Sequence, residues 1–161
     1  MANCVSAHIL IGGRLARSCY PELINAIRND NPAVDWDGTP FDPDDIPVGK
    51  PLALMDHDVA NGCFEEIEAI CHRHGLHYVR WSGASPGSFP SVRIVYTGSG
   101  EPQLVLTTEE DEQIFSIARI RELGSMEAIE ADYQRARRNP PPLLIVDDEP
   151  IDVVISEIPH G

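Results

Sequence analysis

Hydrophobic and polar positions follow recognisable periods along the first half of the chain. Apolar residues dominate 5–15, which predicts a strand, and helical spacing with a plausible capping serine predicts a helix over 18–28. A second strand is predicted at 51–55 and a second helix at 62–74, with Gly75 as its left-handed stop. The chain is therefore predicted to begin with two strand–helix units.

The second half predicts a different order of elements. Residues 77–81 alternate as a third strand, and 92–96 with 103–107 form a predicted hairpin around a Gly-Ser-Gly turn. The segment 112–123 fits a helix or a strand, and helix is slightly favoured. A clearer helix spans 126–138, with acidic residues early and arginines late, as the helix dipole favours.

These elements predict one α+β domain over residues 1–161. The tail at 139–161 is rich in proline and acidic residues and is predicted to hold short strands at 143–146 and 153–155. We expect an open sheet of about five strands, mostly antiparallel or mixed, with the helices packed on one face. The predicted core consists of Leu10, Leu23, Ile27, Leu54, Phe64, Ile67, Ile70, Val79, Ile94, Leu104 and Ile129.

The two strand–helix units resemble each other. Shifting the chain by 44 positions aligns several pairs of similar residues. One interpretation is a pair of βα pseudo-repeats on one sheet, and the other is that any two such units look alike. The aligned pairs include Leu10 with Leu54, Ala16 with Ala60, Cys19 with Cys63, and Glu22 with Glu66.

Charge restricts the kind of partner. The chain has 26 acidic and 12 basic residues, a net charge of -14, and an ordinary hydrophobic fraction of 42%. Such a surface repels phosphates, so we expect neither direct nucleic-acid binding nor a membrane surface as partner. A basic protein surface is favoured instead, and self-association is left open.

The cysteines and the apolar runs bear on the compartment. Four cysteines are widely spaced, and the first residues lack the pattern of a secretory signal. No apolar stretch approaches the length of about 18 residues that crosses a bilayer. We therefore expect reduced thiols and a cytoplasmic location.

A long loop at 34–50 is rich in proline, glycine and aspartate. Long loops within compact domains are often functional. Aromatic side chains among carboxylates suit the recognition of a basic, partly apolar partner, whereas solvated turn residues are the alternative interpretation. The candidate partner-binding residues are Asp35, Trp36, Asp37, Phe41, Asp42, Asp44 and Asp45.

Histidines, cysteines and aspartates are dense between Asp56 and His77. Zinc requires three or four such ligands at one point, and the i, i+3 spacing of Cys71 and His74 could present two of them on one helical turn. Equally, Cys71 falls on the apolar stripe of its helix, as a buried structural thiol would. The candidate metal ligands are His57, Cys71, His74 and His77, and a catalytic Cys–His pair is the enzymatic version of the same cluster.

Familiar motifs fail on inspection. The segment 83–87 matches G-x-S-x-G, but Pro86 has no N–H for an oxyanion. A calcium loop starting at Asp35 would need glycine where Pro40 stands and glutamate where Ile46 stands. No phosphate-binding glycine motif is present, and no cofactor is expected.

The leading hypothesis is a non-catalytic interaction or regulatory protein that binds a basic partner. A narrower form is an inhibitor that imitates nucleic acid and blocks a DNA-binding protein or nuclease. The alternative is a small enzyme or metal-binding protein that uses the cluster from Asp56 to His77.

Overall fold

The computed structural model describes residues 2–148. Two short 3-10 turns, at Arg17–Cys19 and Pro43–Asp45, accompany the helices and strands. The predicted α+β class is confirmed, while the strand predicted at 153–155 lies outside the described residues. In chain order the elements are β1 (Cys4–Ala16), α1 (Tyr20–Asp30), β2 (Leu52–Ala60), α2 (Glu65–His74), β3 (His77–Ser82), β4 (Val92–Thr97), β5 (Gln103–Leu106), α3 (Ile117–Leu123), α4 (Met126–Ala136) and β6 (Leu143–Val146).

The strands form one open sheet in the order β2-β1-β3-β4-β5, in which all neighbours are antiparallel. The register places Ile9 of β1 between Leu54 of β2 and Arg80 of β3. Strand β6 pairs in parallel with the end of β1, from Gly13 onward. The sheet is therefore mixed and mostly antiparallel, as predicted.

One face of the sheet packs against α1 and α2. Side chains alternate along a strand, so Ala7, Ile9 and Ile11 of β1 share a face, and all three are fully buried. They form one apolar cluster with the buried stripes of the two helices. From the helical side this cluster contains Leu23, Ala26, Ile27, Phe64, Ile67, Ile70 and Cys71.

Helix α4 contacts the opposite face. Arg93 alternates with the core residue Ile94 in β4, and its Nε donates to the carbonyl oxygen of Ala136 at 2.7 Å. The buried residues of α4 are Asp132 and Ala136, one turn apart. Because α4 lacks a long apolar stripe, it docks through this short contact and through ion pairs, outside the helical layer of α1 and α2. The predicted packing of the helices on one face therefore holds for α1 and α2 but not for α4.

Three predicted core residues are less buried than expected. Leu104 is 59% exposed, since β5 is the last strand of the sheet order. Leu10 and Ile129 are half-buried, and Leu10 faces away from the cluster that contains Ile9 and Ile11. The other eight predicted core residues are buried: Leu23, Ile27, Leu54, Phe64, Ile67, Ile70, Val79 and Ile94.

Helices α1 and α2 lie side by side and run in opposite directions, because each follows one of two antiparallel strands. Asp30 at the end of α1 accepts the backbone N–H of Ile67 at 2.9 Å, so its carboxylate caps the start of α2. Both helices end in a left-handed residue, Asn31 and Gly75. These ends are 44 positions apart, but the pseudo-repeat is not confirmed and stays a prediction.

Several predicted helix bounds change. Helix α2 begins at Glu65 because Asn61 and Gly62 before it have positive φ angles. In the ambiguous segment 112–123 only the part from Ile117 is helical, since Ile114 instead donates its N–H to the edge of β5. Among residues 2–148, no helix combines the length and the apolar character required to cross a membrane.

Candidate functional site

The loop at 34–50 is fixed along the free edge of β2. Ala33 and Met55 exchange two backbone hydrogen bonds, at 2.7 and 2.9 Å. Three apolar side chains of the loop, those of Val34, Phe41 and Ile46, are partly buried against the core. The loop is therefore an ordered part of the domain, and the side chain of Phe41 faces the core more than the solvent.

The first part of the loop is a tight turn that projects a tryptophan. The carboxylate of Asp35 accepts the backbone N–H groups of Asp37 and Thr39, both at 3.0 Å. Hydrogen bonding from Thr39 lowers the pKa of Asp35, which keeps this carboxylate ionised. The side chain of Trp36 is 41% exposed at the tip. Asp35 thus serves the turn, and Trp36 is presented to solvent.

The second part of the loop is a capping box around Pro43–Asp45. The carboxylate of Asp42 accepts the N–H of Asp44 at 2.9 Å, and that of Asp45 accepts the N–H of Asp42 at 2.7 Å. The pKa of Tyr20 is raised first by burial and second by the negative charge of Asp44. Two of these three predicted partner-binding aspartates therefore also stabilise the loop.

The capping box gives a stability prediction. Replacing Asp42 with Ala removes the cap of a turn whose neighbours, Phe41 and Ile46, pack on the core. We expect the free energy of unfolding to fall by about 0.5 to 2 kcal/mol in urea denaturation, whereas Asp42→Asn keeps the acceptor and costs a few tenths of that unit at most. Equal stability of the Ala and Asn variants would contradict the role of the cap.

Six of the seven predicted partner-binding residues lie in two patches, and the seventh, Phe41, packs against the core. Trp36 contacts His57 near the end of β2, while Asp45 lines a cavity together with Leu52 at its start. Positions 52 and 57 of a strand are roughly 16 Å apart at about 3.3 Å per residue. Asp35, Trp36 and Asp37 therefore form one patch, and Asp42, Asp44 and Asp45 form another.

The orientation of Trp36 is set by His57. The two ring centroids are 4.8 Å apart with 44° between the planes. Nε2 of His57 also lies 2.9 Å from the carbonyl oxygen of Trp36, and since a carbonyl can only accept, this nitrogen carries the proton. The indole is held by a ring contact and a hydrogen bond to its own residue.

A row of rings continues from Trp36 across the second face of the sheet. The ring centroids of His8 and Trp36 are 6.4 Å apart, with 84° between the ring planes. The same imidazole stacks on Trp81, with the centroids 5.7 Å apart and 24° between the planes. Trp81 is only 7% exposed and donates Nε1 to Thr107 Oγ1 at 3.1 Å. Burial lowers the pKa of His8, which favours the neutral ring at neutral pH. Alternation along β1 could have placed His8 on this face, opposite the core.

Three carboxylates lie next to Trp36, or next to its ring partner His57, in the chain. Asp37 follows Trp36 in the turn, and Asp56 and Asp58 flank His57. Asp37 and Asp58 are exposed, whereas Asp56 is half-buried and accepts the N–H of Asp58 at 3.0 Å. We name Trp36, Asp37, His57 and Asp58 the Trp36 surface. The Trp36 surface contains residues of the acidic loop and residues from the start of the predicted His/Cys/Asp cluster. These two sets are separate candidate sites in the sequence-based prediction.

A cavity of about 470 Å³ separates the second part of the loop from the sheet. Its lining is mostly apolar and includes Leu10 and Ala53, while Asp45 and Lys50 contribute opposite charges. None of the ring contacts of Trp36 involves a residue that lines this cavity. We therefore treat it as separate from the Trp36 surface.

The four predicted metal ligands do not meet. Cys71 is fully buried in the core, while His57 contacts the exposed Trp36. His77 pairs with Gly12 of β1, and the strand position just before His57 pairs with Ala7. Five residues of β1 separate these positions, roughly 16 Å. Of these four residues, only His74 belongs to a group of ligand-type side chains, together with Glu22 of α1 and with Cys19, which precedes α1.

The sequence did not single out these partners of His74. One ligand atom from each of Cys19, Glu22 and His74 lies within 4.8 Å of the other two, the one such grouping among residues 2–148. Cys19 and Glu22 are three positions apart at the start of a predicted helix, which is a detectable signal. Their proximity to His74 depends on the antiparallel packing of α1 and α2, which the spacing of residues in the sequence does not reveal.

The thiols of the predicted cluster are poorly suited to nucleophilic catalysis. Burial raises the pKa of both Cys63 and Cys71, so neither is a thiolate at neutral pH. An activated cysteine requires the opposite shift. The raised pKa values of these two thiols thus give no support to a catalytic Cys–His pair at these positions.

Comparison with protein-family models, with curated proteins and with solved structures gave no match. The class that the fold and the site define is an α+β protein with a mixed sheet and a tryptophan-centred acidic surface. Any function must be argued from that surface and from the charge of the chain.

Proposed function

We propose that this protein is a non-catalytic interaction protein that binds a basic protein partner through the Trp36 surface. The observation that carries the proposal is Trp36 itself. A large aromatic side chain, 41% exposed and in contact with His57, lies in the same turn as Asp35 and Asp37. Tryptophan is enriched among the residues that dominate binding energies at protein interfaces.

Charge selects the kind of partner. The net charge of -14 gives the whole molecule a negative field that attracts cationic partners over long range. At contact, a guanidinium or ammonium group can lie over the indole of Trp36 while Asp37 or Asp58 accepts its hydrogen bonds. A cation over a tryptophan face contributes about 0.5 to 2 kcal/mol, depending on desolvation.

Rigidity supports binding at this position. An ordered side chain loses little conformational entropy when a partner covers it, and each immobilised flexible side chain costs roughly 0.5 to 1.5 kcal/mol. Trp36 is already fixed by the ring of His57 and by the Asp35 turn. The Trp36 surface is thus pre-organised for contact.

The wider context of the proposal follows from the same features. Excess negative charge disfavours direct contact with nucleic acid. A DNA-binding protein or a nuclease is therefore proposed only as one kind of basic protein partner. Mimicry of phosphates would need a continuous row of free carboxylates, whereas the carboxylates of Asp35, Asp42 and Asp45 accept backbone N–H groups of other residues in the loop. All four cysteines are free thiols, which suits the cytoplasmic location that we propose.

The test is recovery of a partner from native lysate with matched variants as bait. We expect the parent protein to retain a partner at low salt and release it at high salt. Trp36→Ala and the double variant Asp37→Asn with Asp58→Asn should each recover several-fold less. The control is Glu101→Gln with Glu130→Gln, which removes the same charge from exposed positions elsewhere.

Recovery by the control variant should equal that of the parent, because two distant charges alter only the long-range field. If the control and the surface variants lose the partner equally, net charge alone explains the binding. If the parent protein recovers no partner at low salt, the proposal fails.

A further inference from the structure

Three chemically different ligand groups converge where α1 begins and α2 ends. Cys19 precedes α1 directly, Glu22 lies in the first turn of α1, and His74 is the last residue of α2. Nε2 of His74 is 3.0 Å from Oε2 of Glu22, and the sulfur of Cys19 lies within 4.8 Å of both. His74 is mostly buried and Cys19 is half-buried, so two of the three groups are partly shielded from water.

We propose that Cys19, Glu22 and His74 form a zinc site. Thiolate, imidazole and carboxylate are the ligand types that zinc takes in proteins, and three protein ligands leave a fourth position for water. In a tetrahedral site the ligand atoms are about 3.5 Å apart, because zinc–ligand bonds are about 2.0 to 2.3 Å long. The carboxylate and imidazole are already within that distance, and the sulfur needs to approach by about 1 Å.

The surroundings permit this movement. The Cys19 side chain makes no cap hydrogen bond, and the one hydrogen-bond contact of its sulfur is with the hydroxyl of Ser18, at a long 3.9 Å. The rest of the side chain packs against the edge of the apolar core, so the movement is a small shift along that edge. The negative molecule also favours cation binding.

One group opposes the metal. Nη1 of Arg73 donates to the same Glu22 oxygen at 3.1 Å, which places a positive charge beside the site. The Arg73 side chain is largely exposed and can withdraw to solvent. The competing interpretation is a surface ion pair of Glu22 with Arg73 and His74, in which Cys19 takes no part.

Zinc binding by full-length protein without a histidine tag tests the proposal. We expect stoichiometric zinc after equilibrium dialysis, with affinity that rises with pH because binding releases the thiol proton. Cobalt in place of zinc should show the near-ultraviolet charge-transfer absorption of a thiolate–metal bond. This signature requires Cys19, which the ion-pair interpretation leaves unbound, and it needs no variant that could fail to fold.

Variants locate the site. Cys19→Ser and His74→Gln should each weaken zinc binding on the order of 10-fold or more, since even residues behind the ligands change affinity by that much. Cys63→Ser and His77→Gln are the matched controls and should bind zinc as the parent does. Absence of stoichiometric zinc would overturn the proposal. So would zinc binding by a protein whose cobalt form lacks the thiolate absorption, or an equal loss of zinc in the control variants. The result is independent of partner binding at Trp36.

Discussion

Replacing Phe64 with Ala is expected to lower the free energy of unfolding by about 3 to 5 kcal/mol. The side chain is 1% exposed and belongs to the apolar cluster between the sheet and the two helices. Its backbone N–H is also accepted by Glu68 at 2.7 Å at the start of α2. Truncation leaves a cavity where α2 meets the sheet, and urea denaturation measures the loss.

The control for this variant is Phe64→Leu, which keeps most of the apolar volume and should cost about 1.5 kcal/mol or less. The comparison separates the cavity from any effect on the helix start, since the backbone N–H is unchanged in both. An Ala variant with the same urea midpoint as the parent would show that Phe64 does not lie in the core.

Replacing Glu68 with Ala is expected to cost a similar amount, about 3 to 5 kcal/mol, because it leaves an unpaired buried cation. Arg80 and Glu68 pair at 3.1 Å, and their side chains are only 8% and 14% exposed. Arg80 also donates to the Gly62 carbonyl at 2.7 Å and to Ser82 Oγ at 3.0 Å, which fixes its position under α2.

An exposed ion pair is the control for Glu68. Glu122 pairs with Arg119 at 2.9 Å on the surface of α3, and Glu122→Ala should cost less than about 1 kcal/mol. Replacing both Glu68 and Arg80 with Met should restore much of the loss, since no charge remains buried. A Glu68→Ala variant as stable as Glu122→Ala would mean that water reaches Arg80.

Local patterns in the sequence predicted the elements of the fold. The apolar runs of β1, β3 and β4 and the apolar stripes of α1 and α2 depend on neighbours along the chain, and the core residues predicted in these elements are buried, except for Leu10. Strands β3 and β4 are buried on both faces, which the alternation predicted for 77–81 did not indicate. The position of α4 was harder, since its stripe is short. The position of α4 depends on the hydrogen bond from Arg93 to the carbonyl oxygen of Ala136, and these two residues are far apart in the sequence.

The candidate site was predicted only in part. The sequence singled out Trp36 and the aspartates, but the carboxylates of Asp42 and Asp45 accept backbone N–H groups in a capping box and are therefore less available to a partner. The contact between Trp36 and His57 depends on the loop lying along β2, which the composition of the loop does not encode. The grouping of Glu22 with His74 likewise requires the packing of two helices.

The most direct test of the Trp36 surface is calorimetric titration of the full chain with a short peptide of alternating Arg and Leu. The peptide supplies the charge and the apolar contact that the surface is proposed to recognise. Parent protein, Trp36→Ala and the Glu101→Gln/Glu130→Gln control are compared at low and high salt. We expect the parent and the control to bind the peptide with equal affinity, and both to bind it more weakly as the salt concentration rises. Trp36→Ala should bind the peptide roughly 30-fold more weakly than the parent, a loss of about 2 kcal/mol. Equal affinity of Trp36→Ala and the parent at both salt concentrations would contradict binding at the Trp36 surface.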